Sequence, residues 1–316
     1  MAALISIVIP VYNEEGNLPH LYNELKGVLS KSKDPYEIIF VDDGSTDKSE
    51  AMIRQTAKSD SNVKGIIFRR NYGQTSAIAA GIDYSKGSYI MTMDADLQND
   101  PQDIISLMQK IRDGYDLVSG WRRKRKEPFI KRRLPSLIAN YIISASTGLK
   151  LHDYGCTLKA YRKDFLKNIN LYGEMHRFMP LYVYWQGGKI AEVEVHHRER
   201  KWGNSKYGMN RMLKVIFDLI TVKFLLGNYS TSPLYFFGGW GILLMVLGTL
   251  CGMFTLFQKF MWGFWVHRNP LLLLAVFLFI LGTQIIFIGL LAELNIRIYY
   301  ETTKKSVYTV KEEINC

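Results

Sequence analysis

The chain has 316 residues, a formal net charge of +11 and 48% hydrophobic residues. This length accommodates one large or two moderate domains. Its three cysteines, Cys156, Cys251 and Cys316, form no C-x-x-C pair, which argues against a disulfide framework or a zinc site. The apolar run Leu4–Ile9 is too short for a signal peptide and has no basic segment before it, so we interpret it as a strand.

The first 120 residues alternate between short apolar runs and amphipathic stretches. Near-continuous Ile and Val runs are typical of strands covered on both faces. The alternation predicts an α/β domain with an open, mostly parallel sheet, in which ligands bind beyond the carboxyl ends of the strands. The predicted strands are Leu4–Ile9, Tyr36–Val41, Val63–Phe68, Ser88–Met93, Tyr115–Ser119 and, later in the chain, Lys189–Val195. The predicted helices lie near Glu15–Ser30, Asp47–Ser59, Gln74–Tyr84 and Pro101–Arg112.

Two carboxylates, Asp94 and Asp96, follow the fourth predicted strand. If the extended backbone continues through them, both side chains point to one side, because side chains alternate along a strand. Paired hard oxygen ligands suit a divalent cation that also holds substrate phosphates, and Gln98 would add a neutral oxygen. A surface turn is the alternative interpretation. Asp100 and Pro101 are predicted to be the N-cap and first residue of the next helix.

Polar residues follow the second and third strands as well. Asp42 and Asp43 come after the second strand, where a turn with Ser45 capping the next helix is one interpretation. Two adjacent carboxylates exceed what capping needs, so one is a candidate acceptor for a base edge or a ribose. Arg70 and Gln74 supply a cation and an amide after the third strand. The chain has no G-x-G-x-x-G after the first strand and no P-loop motif, which argues against both kinds of nucleotide site.

Several segments point to a membrane. The apolar runs 234–257 and 271–292 would measure about 36 and 33 Å as helices, enough to cross a bilayer. Arg122–Arg133 holds eight Lys or Arg residues against one Glu; nucleic acid would fit this cluster, but the anionic surface of a bilayer is the nearer partner of a membrane protein. Two amphipathic stretches, about 129–149 and 209–227, are predicted to lie in the membrane interface, with packing of the first on the sheet as the alternative.

Four segments together resemble the family 2 glycosyltransferases with a GT-A fold: Ile7–Glu14, Val41–Ser45, Asn71–Gln74 and Met93–Gln98. Within that family the chain is similar to the polyprenyl-phosphate glycosyltransferases, such as dolichol-phosphate mannose synthases and, more closely, bacterial bactoprenol glucosyltransferases. The resemblance implies inverting transfer of glucose from UDP-glucose to undecaprenyl phosphate, with Mg²⁺ or Mn²⁺ as cofactor. Mannose from GDP-mannose and a modified arabinose are the alternative sugars.

The resemblance also implies roles for individual residues. The metal ligands would be Asp94, Asp96 and Gln98. The expected nucleotide-sugar contacts are Pro10, Tyr12, Asn13, Glu14, Asp42, Asp43, Arg70, Gln74, Asp94, Ala95, Asp96, Arg122 and Ser205. The expected catalytic residues are Asp94, Asp96, Asp153, Arg200 and Lys206, the last two in a glycine-containing basic loop of the kind that phosphate capture requires. The neighbouring His196 and His197 are assigned no role.

We expect three regions in the chain. Residues 1–230 would form a cytoplasmic GT-A domain, 231–295 a transmembrane hairpin with spans at about 234–257 and 271–294, and 296–316 a cytoplasmic tail. Basic residues are denser outside the hairpin than in its connection, so the positive-inside rule places both termini in the cytoplasm, at the inner (plasma) membrane.

Two further expectations concern partners and competing functions. Glycines in the spans, Gly238, Gly239, Gly248 and Gly252, permit helix packing between protomers, and we expect a homo-oligomer and no nucleic-acid partner. A processive polysaccharide synthase is disfavoured because its Q-x-x-R-W motif is missing. A non-catalytic subunit that binds or translocates a lipid phosphate stays open as the alternative outside the enzymes.

Overall fold

The structure is a computed structural model that divides the chain into two compact units, Met1–Val222 with Ser306–Cys316, and Lys223–Lys305. Most of the predicted interface helix at about 129–149, all of that at about 209–227, and the loop with Arg200, Ser205 and Lys206 lie outside the described residues. The structure describes residues 4–32, 34–123, 140, 143–145, 147–167, 169, 171, 175–199, 233–263, 265, 269–302 and 308–316.

A single sheet holds the eight strands found in the described part of the first unit. These are β1 (Ile5–Val11), β2 (Tyr36–Asp42), β3 (Val63–Phe68), β4 (Tyr89–Thr92), β5 (Leu117–Trp121), β6 (Lys159–Arg162), β7 (Ile190–Glu194) and β8 (Val310–Ile314). Their order across the sheet is β7-β5-β6-β4-β1-β2-β3-β8. Strands β6 and β8 run antiparallel to their neighbours and the other pairings are parallel. The predicted mostly parallel sheet is confirmed.

The predicted helices of the first unit are present but begin up to three residues later than expected. They are α1 (Leu18–Leu29), α2 (Ser49–Ser59), α3 (Gln74–Asp83) and α4 (Asp103–Arg112), followed by α5 (Met179–Trp185). The capping predictions were wrong. Asp100 accepts the N–H of Gln102 at 3.0 Å in a turn that precedes α4, and the N–H of Ser49 at the start of α2 donates to Asp47 at 2.9 Å rather than to Ser45.

Strand β1 lies between two parallel neighbours and is covered on both faces. Ile7 and Ile9 are fully buried in one hydrophobic cluster with Leu21 and Leu25 of α1. Val8 points the other way, toward α3, because successive side chains of a strand alternate between faces. This two-sided burial explains the nearly continuous apolar run in the sequence.

Two strands, β6 and β8, were not predicted. Strand β6 inserts antiparallel between β4 and β5, so the loop that precedes it lies next to the end of β4. Strand β8 pairs antiparallel with β3 and covers its outer edge. The expected separate tail 296–316 is therefore the end of a helix followed by a strand of the main sheet. Tyr308 stacks on Phe68 with ring centroids 5.2 Å apart, which anchors the returning chain.

The described part of the second unit is a pair of helices, α6 (Pro233–Trp262) and α7 (Pro270–Thr302). The segments Phe237–Trp262 and Pro270–Ala292 are long and apolar enough to cross a membrane. The two helices approach closely at small residues, since a Cβ on Gly241 would lie 2.6 Å from the carbonyl oxygen of Gly282.

Gly248 also packs within the helix pair, since a Cβ added there would lie 2.8 Å from the Ala275 carbonyl oxygen. A Cβ added to Gly238 or Gly239 would meet nothing within 4 Å.

Replacing Gly81 with alanine should destabilise the first unit, because the new Cβ would lie 2.1 Å from Cγ1 of Val8 in β1. We expect a loss of about 1–3 kcal/mol in the free energy of unfolding, the usual effect of overpacking a filled core. Gly27→Ala on the exposed side of α1 is the matched control, since nothing lies within 4 Å of its added Cβ. It should gain up to about 1 kcal/mol from helix propensity. Denaturant unfolding of both variants measures the difference, and equal stabilities would contradict this packing.

Candidate active site

The loops after β1 and β2 are bonded to each other at the carboxyl edge of the sheet. The N–H of Asn13 donates to Oγ of Ser45 at 2.9 Å, and the N–H of Thr46 donates back to Oδ1 of Asn13 at 2.7 Å. Asn13 has φ 55°, a left-handed conformation that asparagine tolerates better than most residues. Asn13, predicted as a nucleotide contact, thus shapes the rim through its own side chain.

Asp43 joins the loop after β2 to the loop after β3. Its carboxylate accepts the N–H groups of Tyr72 at 2.7 Å and Gly73 at 2.9 Å. Gly44, with φ 69°, lets the two loops touch, since a Cβ there would lie 2.5 Å from the backbone carbon of Arg70. Burial raises the pKa of Asp43 to about 6. Asp43 therefore organises the rim by bonding to backbone within it.

Asp42 differs from its neighbour. Its Oδ2 accepts the N–H of Ser45 at 3.2 Å, but Oδ1 has no hydrogen-bond partner among the described residues although it is buried. Burial raises the pKa of this carboxyl group. Buried acceptors in proteins nearly always receive a hydrogen bond, so the unpartnered oxygen marks a position where a ligand N–H or O–H would be stabilising.

The remaining predicted nucleotide contacts lie along the same rim. Pro10 lies opposite Val41 near the end of the pairing between β1 and β2, and Tyr12 follows directly after β1. The guanidinium of Arg70 lies 4.6 Å from the centroid of the Tyr72 ring and is exposed. Glu14 accepts a hydrogen bond from the Asn17 amide at 2.5 Å.

Asp94 is held on both sides of its carboxylate. The Gln74 amide nitrogen donates to Oδ1 at 2.7 Å, and the Thr157 hydroxyl donates to Oδ2 at 2.7 Å. Burial, reinforced by the charge of Asp96, raises the pKa of Asp94 to about 6. Gln74, predicted as a direct nucleotide contact, orients this carboxylate. Thr157 was missed because it lies 63 residues away in sequence and no motif marked it.

The prediction that an extended backbone continues through Asp94 and Asp96 was wrong. Strand β4 ends at Thr92 and the chain bends afterwards, with Leu97 at φ 60°, so strand alternation does not extend through the two carboxylates. The charge of Asp96 nevertheless acts on Asp94 and contributes to its raised pKa. Asp96 Oδ1 accepts the N–H of Gln98 at 3.1 Å, and Ala95 between the acids is buried.

Gln98 connects the acidic loop to the segment after β7. Its side-chain amide nitrogen lies 3.5 Å from the Arg198 carbonyl oxygen. Its backbone carbonyl accepts the Arg198 backbone N–H at 2.8 Å. The Arg198 guanidinium in turn pairs with Asp100 at 2.7 Å and Glu24 at 2.6 Å. His196 bonds to Asp103 at 2.8 Å. The chain leading into the predicted phosphate loop is thus fixed against the acidic loop.

The carboxylate of Asp153 is buried and bonded to a neighbouring side chain. It forms a two-point ion pair with Arg122, with Nε–Oδ2 at 2.8 Å and Nη2–Oδ1 at 3.1 Å, and its side chain is 1% exposed. Bidentate pairs of this kind fix a guanidinium in orientation as well as position. Asp153 thus holds the Arg122 guanidinium in place, and Arg122 is the partner nearer the surface, with 18% of its side chain exposed.

The donor set suits a cation that shares its ligands with a substrate. Asp94 and Asp96 offer carboxylate oxygens, and within the described ranges no group of three or more His, Cys, Asp or Glu side chains converges on one point. Mg²⁺ is commonly bound in this way, by one or two carboxylates together with substrate phosphates and water. The residues therefore fit a nucleotide-bound divalent cation better than a metal held by protein alone.

Comparison with known proteins assigns the chain to a family. The model of "Glycosyl transferase family 2" matches residues 6–169. The chain belongs to glycosyl transferase family 2. It is 40% identical to dodecaprenyl-phosphate galacturonate synthase of Rhizobium johnstonii, over 98% of this chain and 92% of that protein. It is 37% identical to undecaprenyl-phosphate 4-deoxy-4-formamido-L-arabinose transferase of Shewanella sediminis, with the same coverage of both chains. The predicted family is confirmed, and the protein is a glycosyltransferase whose relatives act on polyprenyl phosphates.

Solved structures support the GT-A architecture. Glucosyl-3-phosphoglycerate synthase of Mycobacterium tuberculosis, crystallised with Mn²⁺ and UDP, superposes with a TM-score of 0.54 at 18% identity, over 70% of this chain and 79% of that one. Mannosyl-3-phosphoglycerate synthase of Rubrobacter xylanophilus gives a TM-score of 0.56 at 14% identity, over 70% and 74%. The predicted fold is confirmed.

Replacing Asp94 with asparagine should abolish most activity of the glycosyltransferase. The substitution keeps the shape but removes the negative charge that both neighbouring donors orient. Losing a partner of a metal ligand typically lowers affinity about 10–100-fold, so we expect loss of the central carboxylate to exceed that range for Mn²⁺ binding and turnover. Asp164→Asn, at an exposed site paired with Lys167, is the matched control and should leave both unchanged. Wild-type activity in Asp94→Asn would remove this residue from the site.

Cation binding should weaken in acid. The raised pKa of Asp94, about 6, means that a proton competes with the cation for this carboxylate below that pH. The affinity for Mn²⁺ should be nearly constant above pH 7 and fall by up to about tenfold per pH unit below 6, as for a single competing proton. Titration of Mn²⁺ by electron paramagnetic resonance between pH 5 and 8 measures the slope, and a flat profile would contradict the assignment.

Proposed function

We propose that this glycosyltransferase transfers a sugar from a nucleotide sugar to a polyprenyl phosphate at the surface of the membrane, with inversion at the anomeric carbon. The observation that carries this proposal is the Asp94 carboxylate, oriented by Gln74 and Thr157 at the end of β4 in a chain whose relatives over 98% of its length act on polyprenyl phosphates.

The sugar is the finer part of the proposal. Glucose was the first expectation from the sequence, with mannose and a modified arabinose as alternatives. The relatives at 40% and 37% identity are named for galacturonate and for 4-deoxy-4-formamido-L-arabinose. These names support the modified arabinose and add galacturonate, so we place both ahead of glucose as the transferred sugar.

The donor site would use the rim at the carboxyl ends of β1 to β4. Asp42, with its unpartnered buried oxygen, would accept from the base or ribose, beside Pro10 and Tyr12. Asp94 and Asp96 would hold Mg²⁺ or Mn²⁺ against the pyrophosphate. When bound, the cation supplies positive charge that stabilises the departing nucleoside diphosphate.

The acceptor explains why no general base is needed. A phosphate monoester has its second pKa near about 6, so its oxygen is already ionised and nucleophilic at neutral pH. The protein then has to attract and aim the phosphate. Arg122, fixed by Asp153 near the rim, is suited to that task. Arg200, Ser205 and Lys206 are proposed to share it.

The path of the chain supports a membrane location for this chemistry. It leaves the first unit, passes through α6 and α7, and returns to the same unit as β8. If both helices span the bilayer, two crossings bring the chain back to the side from which it started. Together with the distribution of basic residues, this supports a catalytic unit and both termini on the cytoplasmic side of the inner membrane.

A donor panel tests the proposal. Purified protein in detergent is incubated with undecaprenyl phosphate, Mn²⁺ and one radiolabelled donor at a time: UDP-galacturonate, UDP-4-deoxy-4-formamido-L-arabinose, UDP-glucose or GDP-mannose. We expect label to enter the organic phase with one of the first two donors. Transfer from UDP-glucose or GDP-mannose alone would correct the sugar and keep the reaction.

Asp94→Asn is the negative control for every donor in the panel. If wild-type protein binds both Mn²⁺ and UDP but gives no lipid-linked label with any of the four donors, transfer to a polyprenyl phosphate is contradicted.

A further inference from the structure

A buried lysine lies directly behind the loop that holds Asp94. Lys159, the first residue of β6, is 2% exposed. Its ammonium donates to the carbonyl oxygen of Tyr154 at 3.2 Å and also to that of Cys156. It takes part in none of the ion pairs found among the described residues. A buried ammonium is unfavourable unless its hydrogen bonds are satisfied, and here backbone carbonyls satisfy it.

The loop that Lys159 bonds to, residues 153–157, carries two groups of the site. Asp153, at its start, fixes Arg122. Thr157, at its end, donates to Asp94 at 2.7 Å. Between them, the carbonyls of Tyr154 and Cys156 accept from the lysine, which ties the middle of the loop to the same ammonium.

Other contacts hold both ends of this loop: Asp153 pairs with Arg122 at its start, and two donors reach Thr157 at its end. Thr92 donates to the Thr157 carbonyl at 2.6 Å, and the Asn99 amide donates to the Thr157 hydroxyl at 3.2 Å. They leave the carbonyls of Tyr154 and Cys156 to Lys159. An apolar side chain at position 159 would strand both carbonyls in the interior, where an unsatisfied polar group is destabilising, and the loop would have to rearrange to reach another donor.

We infer that Lys159 is a positioning residue of the glycosyltransferase, which sets the loop 153–157 so that Thr157 orients the Asp94 carboxylate and Asp153 orients Arg122. This inference rests on the proposed cation at Asp94 and goes beyond it by assigning the group that holds the site together from behind. Burial lowers the pKa of Lys159 to about 8, in keeping with an ammonium that is enclosed by carbonyls and has no carboxylate bonded to it.

The test compares Lys159→Met with Lys159→Arg in the full-length protein in detergent. Loss of the ammonium should weaken Mn²⁺ binding in the presence of UDP at least tenfold, the range expected when a partner of a metal ligand is lost. Arginine keeps a cationic donor and should restore affinity to within threefold of wild type. Electron paramagnetic resonance measures the affinity, and the kcat against KM for the donor is determined alongside.

A second buried lysine provides the matched control. Lys64 pairs with Glu37 at 2.7 Å, and Glu37 stands at the opposite end of the sheet, near the start of β2. The double variant Lys64→Met with Glu37→Gln removes a buried ammonium without leaving its carboxylate charged. We expect a change in thermal stability and no change in Mn²⁺ affinity, which separates positioning from a general loss of stability.

Each outcome decides the inference. Folded Lys159→Met protein with wild-type Mn²⁺ affinity overturns it, as does equal weakening in the Lys64 control. If Lys159→Met does not fold, Thr157→Val decides, because it removes the hydroxyl through which the loop reaches Asp94. Unchanged affinity in Thr157→Val overturns the inference, and a loss of several-fold supports it. Since the readout is cation binding, an inactive wild-type enzyme that still binds Mn²⁺ contradicts the proposed function and leaves this comparison intact.

Discussion

The arrangement of the site depends on the two hydrogen bonds that grip Asp94. One comes from the first residue of α3 and the other from the loop before β6, so a single carboxylate connects three parts of the chain that are far apart in sequence. Burial alone would favour the protonated acid. Donors on both oxygens instead favour the ionised form in one orientation, which is the state in which a cation binds. The order of the strands matters because it brings those two donors to opposite sides of the same side chain.

The loops at this edge are built largely by their own polar side chains. Asn13, Asp43 and Asp153 were all expected to contact substrate, and all three bond to neighbouring protein groups in the structure. A motif shows which residue type is needed at a position, but it does not distinguish a side chain that shapes a loop from one that contacts a ligand. Asp42 differs from these three residues, because one of its buried oxygens has no hydrogen-bond partner among the described residues.

The sequence was sufficient to predict the parallel half of the fold, because β1, β2 and β3 are mostly apolar runs with amphipathic helices between them. It was insufficient for β6 and β8. The four residues Lys159–Arg162 have no apolar run, and their place between β4 and β5 is set by pairing with strands that are distant in sequence. Since β6 brings Thr157 to Asp94, missing that strand meant missing the contact. Gln74 was found as a site residue, but its partner required the fold.

The position of β8 has a consequence for biosynthesis. Strand β3 has an open edge until residues Val310–Ile314 pair with it, and unpaired edges are prone to wrong association. Those residues leave the ribosome only after both long apolar helices have been made. The sheet therefore cannot be completed during translation of the first 300 residues, and its last strand becomes available only after both hydrophobic helices have been synthesised. Both apolar helices are thus made while the edge of β3 is still open to wrong pairing.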